Sequence, residues 1–148
     1  MRTPASISGH PIHPMLVTLP IGLWVFSFVA DLLCLRGVGP GPETWAVVAY
    51  YTMIGGIVGA LLAAVPGLID LTSIKDPAIK KTGLVHMGIN LTVVVIYIVN
   101  VCLRYSATEV RVATVLMSGV TILLLLVSGW LGGKMVYLGR VAVTEPGQ

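Results

Sequence analysis

The chain contains 148 residues, of which 56% are hydrophobic and 10% are charged. Charged residues make up about 25% of an average soluble domain, so this composition excludes an ordinary soluble protein and indicates a protein embedded in a membrane. The formal net charge is +3. Because the sequence has no basic patch, it also excludes binding to nucleic acid.

Four apolar segments are long enough to cross a bilayer, for which a helix needs roughly 20 residues. They cover residues 14–35, 45–71, 83–103 and 112–136. Little of the chain lies outside them, so residues 1–148 are predicted to form a single all-α domain, an integral membrane four-helix antiparallel bundle. We expect contacts with membrane lipid, and with other membrane subunits or a second copy of the chain through glycine stripes that face the lipid.

Lysine and arginine predict the orientation of the bundle. With four spans, both termini and the loop between the second and third spans lie on one side of the membrane. That side carries Arg2, Lys75, Lys80, Lys81, Lys134 and Arg140, whereas the opposite side carries Arg36, Arg104 and Arg111. Because basic residues concentrate on the cytoplasmic side, we expect both termini in the cytoplasm.

A histidine-containing run, Ser-Gly-His-Pro-Ile-His-Pro-Met at residues 8–15, leads directly into the first apolar segment. The polar residues before it predict a loosely held terminus. Pro14 suits the first turn of a helix and biases His13 towards an extended conformation just outside that helix. Pro20 deprives the Leu16 carbonyl of its usual helical donor, so we expect a bend or a side-chain hydrogen bond there.

Small residues recur at every fourth position of the second apolar segment, at Gly55, Gly59, Ala63 and Gly67. This spacing forms a groove in which a neighbouring helix can approach closely, and a flat cofactor ring is the alternative occupant. Tight helix packing is the commoner use of such a groove, so we favour it. Pro66 and Gly67 then loosen the helix just before Asp70, at its cytoplasmic end.

The third helix is predicted to begin near Gly83, after a basic loop at residues 73–81. The basic residues of that loop either set the orientation of the spans in the membrane or bind an acidic group, such as a lipid phosphate or a cofactor carboxylate. His86 then lies in the first turn, and Asn90, four residues later, lies on the same face. His86 and His13 are therefore expected at a similar depth.

Five runs carry a resemblance that spans almost the whole chain. They are Gly-His-Pro-Ile-His-Pro-Met-Leu-Val at residues 9–17, Ala-Asp-Leu-Leu at 30–33, Val-Pro-Gly-Leu-Ile-Asp at 65–70, Thr-Gly-Leu-Val-His-Met at 82–87, and Ser-Gly-Trp-Leu-Gly-Gly at 128–133. In these runs the chain resembles the bacterial membrane family named domain of unknown function 2231. The resemblance implies a four-helix bundle in the bacterial inner (plasma) membrane, but it implies no activity.

Some relatives in that family are fused to Rieske-type iron–sulfur domains, which implies a redox setting for those relatives and suggests an iron–sulfur protein as a partner here. Relatives often place a histidine and a glycine after the tyrosine that follows the last run. This chain departs from them, because it has Tyr137, Leu138, Gly139 and Arg140 there. A role for that additional histidine is therefore not expected.

Five polar residues on three segments are expected to meet in one layer at the cytoplasmic end, namely His10, His13, Asp70, His86 and Asn90. Two imidazoles from different helices at one depth can supply both axial ligands of a b-type haem, and His13 and His86 are the predicted pair. Asp70 and Asn90 can bond to the outer ring nitrogens. Lys75, Lys80, Lys81 or Arg2 can pair with the propionates. The predicted function is a membrane electron-transfer module that carries haem b.

Two other functions stay open. The histidines could cap helices and bond unpaired carbonyls, which would make the protein a non-catalytic structural or accessory subunit. Asp31 and Asn100 form a second layer at the opposite end, and with Asp70 they could mark a path for protons or small ions. Since Asp31 lies within a span, we expect it to face inward and bond a neighbour. Catalytic motifs such as a nucleophile elbow or a phosphate-binding loop are missing, which argues against an independent enzyme.

Cys34 and Cys102 both fall near the outer ends of their helices. A disulfide between them is conceivable in an oxidising compartment. Packing as small apolar side chains is the commoner role for cysteines in such segments.

Overall fold

A computed structural model describes residues 4–105, 110–141 and 143. Within these ranges the helices are α1 (Ile12–Leu16), α2 (Thr18–Arg36), α3 (Pro42–Ser73), α4 (Pro77–Tyr105) and α5 (Val112–Tyr137). They provide four spans that are long and apolar enough to cross a membrane, because α1 and α2 together form one span, Ile12–Arg36. The predicted all-α membrane bundle is confirmed.

The helices form a closed ring in which α2 packs on α3, α3 on α4, α4 on α5, and α5 again on α2. The contacts within α2–α3 and within α4–α5 are the most extensive, and α1 lies against α3. The bundle is therefore built from a first helix pair, α2 and α3 with α1 attached, and a second helix pair, α4 and α5. The two pairs meet where α3 contacts α4 and where α5 contacts α2.

The bundle is apolar outside and more polar inside. Buried residues of α5 are Thr114, Val115, Ser118, Thr121 and Ser128, most of which carry a hydroxyl group. Leu123 and Leu126 on the same helix are 62% and 66% exposed. This distribution suits a hydrocarbon environment, in which leucine gains nothing from burial and small hydroxyl side chains allow close helix packing.

An apolar core fills the middle of the bundle. Trp24 of α2 and Tyr97 of α4 stack with ring centroids 4.4 Å apart and planes at 9°, and Met53 and Val93 complete the buried cluster. The indole Nε1–H of Trp24 donates a hydrogen bond of 3.2 Å to the Met53 carbonyl. This core lies between two polar layers, one that includes His86 and Asn90 of α4 and one that includes Asn100 and Arg104 of the same helix.

The start of the first span differs from the prediction. A hairpin of β1 (Ser6–Ile7) and β2 (His10–Pro11) precedes α1, so the terminus is not loose over these residues. His13 is helical rather than extended, and Pro14 follows it within the first turn of α1. That turn has no need of the N–H group that proline lacks, which is why the helix can begin before Pro14.

The helix is interrupted at Val17, between α1 and α2. Thr18 Oγ1 donates a hydrogen bond of 2.8 Å to the Met15 carbonyl at this point. The break lies three residues before Pro20, whose missing N–H prevents a regular ladder across this turn. A bend or a side-chain hydrogen bond to the Leu16 carbonyl was predicted here. In the structure the side-chain hydrogen bond goes to the neighbouring carbonyl, that of Met15.

The third span begins earlier than predicted, at Pro77 instead of Gly83. The cause is a side-chain cap, since Asp76 Oδ1 accepts hydrogen bonds from the backbone N–H groups of Ala78 at 2.8 Å and Ile79 at 3.0 Å. An aspartate followed by proline is a strong helix start. His86 consequently lies well inside α4 and not in its first turn.

Candidate functional site

His13 contributes the first imidazole of the candidate site. Its Nδ1 lies 2.8 Å from the carbonyl oxygen of Ala63 on α3. Because a carbonyl oxygen only accepts, Nδ1 must carry the proton and donate it. The lone pair of His13 is therefore on Nε2, which no residue in the described part of the chain hydrogen-bonds.

His86 on α4 contributes the second imidazole. Its Nδ1 lies 2.9 Å from the carbonyl oxygen of Ser128 on α5, which again assigns the proton to Nδ1. The Asn90 amide nitrogen lies 3.1 Å from His86 Nε2, and this donor agrees with a lone pair on that atom. The Ser128 carbonyl therefore assigns the tautomer of His86.

The Asn90 amide group has more acceptors than hydrogens. Its Nδ2 also lies 2.9 Å from the His86 carbonyl and 2.7 Å from Ser128 Oγ. An NH₂ group has two hydrogens, so the shorter contacts can use both of them. The contact with His86 Nε2 is the longest of the three and can be given up without leaving an Asn90 donor unpaired.

The imidazoles of His13 and His86 face each other across the gap between the two helix pairs. Their ring centroids are 6.3 Å apart and their planes lie at 88°. Both side chains are half-buried. We call His13, His86, Asn90 and Ser128 the imidazole layer.

The groove of small residues is filled by protein and not by a cofactor. An added Cβ at Gly55 would lie 3.2 Å from Leu23 Cδ1, and one at Gly59 would lie 3.2 Å from Pro20 Cδ. At Gly67 it would lie 2.7 Å from Nδ1 of His13. The favoured interpretation, tight packing of the first span on α3, accounts for this stripe.

Two other predicted members of the site, His10 and Asp70, bond to the segment before α1. His10 is exposed, and its Nδ1 is 3.1 Å from the Ser8 carbonyl. Asp70 is buried and accepts a hydrogen bond of 3.2 Å from the backbone N–H of Ala5. Since both imidazole Nδ1 atoms bond to backbone carbonyls, neither has Asp70 as its outer partner, contrary to the prediction. Arg2 lies outside the described residues.

A second polar layer lies nearer the other end of α4, about 15 Å along the helix from Asn90 to Asn100. Asp31 is fully buried and accepts hydrogen bonds from the Arg104 guanidinium at 2.6 Å and 2.8 Å. Arg104 Nε donates to Asn100 Oδ1 at 2.8 Å, and Asn100 donates to Ser118 Oγ at 3.0 Å. We call these four residues the ionic layer. Asp31 faces inward and bonds a neighbour, as predicted.

Both cysteines are free thiols. Cys34 is buried and Cys102 is exposed. This arrangement agrees with the favoured packing role of Cys34.

Three important side chains were not predicted as site residues. Ser128 bonds to both Asn90 and His86, and Arg104 neutralises Asp31. Tyr97 has a buried hydroxyl with no hydrogen-bond partner among the described residues. Arg104 could have been identified from charge alone, because a buried aspartate in a span needs a partner at its own depth. The Ser128 carbonyl gives no signal in a sequence.

Comparison with known proteins agrees with the resemblance seen in the sequence. A family model described as "Predicted membrane protein (DUF2231)" matches residues 9–145. No curated protein and no solved structure matches the chain. The family match therefore identifies the kind of protein and leaves its activity to be argued from the imidazole layer.

Proposed function

The chain belongs to the DUF2231 family of predicted membrane proteins, and we propose that it is an electron-transfer module that holds one b-type haem between His13 and His86. The observation that carries the proposal is the shared tautomer of the two imidazoles. Each ring donates Nδ1–H to a backbone carbonyl on a neighbouring helix. This bond fixes the ring and leaves an Nε2 lone pair, as in metal-ligating histidines.

The spacing of the rings agrees with ligation of a single metal ion. Two imidazoles bound on opposite sides of one ion, through bonds of about 2.0 Å, have ring centres roughly 6 Å apart. The observed distance between the His13 and His86 centroids is 6.3 Å. If Asn90 gave up its contact with His86 Nε2, this nitrogen would be free to bind the metal. The Asn90 amide group would still have two acceptors, the His86 carbonyl and Ser128 Oγ.

The number of ligands favours haem over a bare ion. Zinc sites use three or four protein ligands, and no group of three or more histidine, cysteine or acidic side chains suited to a metal occurs among the described residues. A haem needs only axial ligands from the protein. Because the groove beside Gly55 and Gly59 is filled, the ring plane would have to enter between the two helix pairs.

With both axial positions occupied by imidazole, a haem supplies one-electron transfer. Lys75, Lys80 and Lys81 are exposed near the end of the bundle that contains the imidazole layer, where they could pair with propionates. The expected partner is a protein that exchanges electrons at this face, and an iron–sulfur protein has the required chemistry. Self-association is a further possibility at Gly129, which is exposed and has open space beside it.

The His13→Ala and His86→Ala variants test the haem proposal. Protein purified from cells supplied with haem is expected to show a Soret band and to contain about one haem per chain. Either substitution removes one axial ligand, so each variant is expected to lose the low-spin spectrum. The measurement is an absorption spectrum combined with metal analysis, which separates haem iron from zinc or copper.

His10→Ala is the matched control, because His10 is exposed and bonds only to its own turn. Its spectrum is expected to equal that of the parent. A colourless parent protein, or a Soret band that survives both other substitutions, contradicts the proposal.

The second candidate function is a structural or accessory subunit. The observation in its favour is that each imidazole ties two helices together through a backbone carbonyl. It predicts a colourless protein in which His13→Ala lowers the melting temperature and changes no bound species.

The membrane orientation is the remaining part of the proposal, with both termini in the cytoplasm of a bacterial inner membrane. We expect Lys75→Cys, in the loop after α3, to react with an impermeant maleimide only in inverted vesicles. Val38→Cys, in the loop after α2, should react only in intact spheroplasts, because basic loops stay in the cytoplasm. Both substitutions are made in a chain without Cys34 and Cys102. The opposite labelling pattern contradicts this orientation.

A further inference from the structure

Residues 4–11, which precede α1, form a strap that is tied into the bundle. β1 and β2 pair antiparallel through a turn at Ser8 and Gly9, both with positive φ. Ala5 lies just before this hairpin and is 8% exposed. Its carbonyl accepts a hydrogen bond of 3.0 Å from the N–H of Ile12. Ala5 therefore holds the first residue of α1.

Asp70 holds Ala5 in turn. Its Oδ1 accepts the Ala5 N–H at 3.2 Å, across 65 positions of the chain. A carboxylate bonded to a backbone N–H makes a charge-assisted hydrogen bond, which is among the stronger contacts available to a chain end. The chain of contacts runs from Asp70 to Ala5, from Ala5 to Ile12, and from Ile12 to the adjacent His13.

The same face of α3 contacts His13 directly. Ala63, Gly67 and Asp70 are spaced by four and three residues, so they lie on one side of the helix. The Ala63 carbonyl accepts a hydrogen bond from His13 Nδ1. Gly67 leaves space for the ring, since a Cβ there would lie 2.8 Å from Cε1. This face of α3 thus fixes both the ring of His13 and the strap that precedes it.

We propose that Asp70 is a positioning residue for His13, which it holds through Ala5 and the start of α1. The role in ligation rests on the proposed function, whereas the positioning itself does not. Loss of the carboxylate would release the strap and let α1 move away from α3. His86 would keep its hydrogen bonds, because they come from α4 and α5, but its ring would lose the contact with His13.

Chemical modification of the imidazoles tests this role directly. Diethyl pyrocarbonate acylates accessible neutral imidazole, and mass spectrometry reports the rate at each histidine. Asp70→Ala is expected to raise the His13 rate about tenfold, the effect of losing one charge-assisted hydrogen bond. Asp70→Asn retains an acceptor oxygen but loses the charge, so its His13 rate should lie between those of the parent and of Asp70→Ala. The exposed His10, whose ring is already accessible, serves as the internal reference.

A covalent replacement separates positioning from general loss of folding. In a chain without Cys34 and Cys102, Ala5→Cys combined with Asp70→Cys should form a disulfide that returns the His13 rate to the parental value, and reduction should raise it again. Failure to cross-link, or a His13 rate that ignores both Asp70→Ala and the disulfide, overturns the proposal. If these rates appear in a protein that has no Soret band, the positioning role stands and the haem proposal fails.

Discussion

Arg104→Ala is expected to lower the free energy of unfolding by about 3–5 kcal/mol, because it leaves the Asp31 carboxylate buried without its counter-ion. Asp31 is fully buried and Arg104 is 8% exposed, so water replaces neither partner. The substitution also removes the donor that Asn100 Oδ1 uses. Denaturant titration in detergent micelles, followed by tryptophan fluorescence, measures the loss.

Arg36→Ala is the matched control, since Arg36 is an exposed arginine at the same end of the bundle. It should cost less than about 1 kcal/mol. Adding Asp31→Asn to Arg104→Ala removes the unpaired charge and should recover a large part of the lost stability. A loss for Arg104→Ala no greater than that of Arg36→Ala would show that the ion pair contributes little.

The ionic layer illustrates how far sequence reasoning reaches in a membrane protein. The cost of a charge in hydrocarbon predicts that Asp31 faces inward, and this is confirmed by the structure. The same argument should have paired it with Arg104, which was counted only as a topology charge. The involvement of Ser118 could also have been predicted, because Thr114, Ser118, Thr121 and Ser128 recur at helical spacing and mark the buried side of α5.

The sequence predicts the depth of the imidazole layer in the membrane but not the hydrogen-bond partners of its rings. The positions of His13 and His86 relative to their apolar segments place both rings near one end of the bundle, and they are indeed neighbours. Their outer partners are the carbonyls of Ala63 and Ser128. Every residue has a carbonyl, so composition cannot identify such a partner. The carboxylate of Asp70 was predicted to bond an imidazole nitrogen, but in the structure it accepts a hydrogen bond from the N–H of Ala5.

The start of α4 could have been predicted from the sequence, because Asp76 and Pro77 are a recognisable helix start. The apolar segment begins at Gly83, and hydropathy alone places the helix start there. Asp76 and Pro77 form a capped start in the polar sequence ahead of it, and local hydrogen bonding rather than hydropathy decides where a helix begins. The part of α4 that carries Lys80 and Lys81 is therefore helix outside the apolar segment.

Gly56→Ala is expected to destabilise the protein by about 3 kcal/mol, near the upper end of the usual cost of overpacking. An added Cβ would lie 2.8 Å from Cε2 of Trp24 and closer still to Nε1 and Cδ1. The indole cannot move aside cheaply, because it stacks on Tyr97 and donates to the Met53 carbonyl. Gly55→Ala is the neighbouring control, since its Cβ meets only the flexible end of Leu23 at 3.2 Å.

The same unfolding titration should report these losses when it is followed by circular dichroism, which does not depend on Trp24. In a Trp24→Leu background the indole is gone, so Gly56→Ala should cost far less than in the parent, and the two changes should be strongly non-additive. Equal effects of Gly56→Ala in both backgrounds would mean that the indole does not set the cost. Equal effects of Gly55→Ala and Gly56→Ala would mean that α3 tolerates a methyl group on either face, and that close packing of Trp24 on α3 does not hold the first helix pair together.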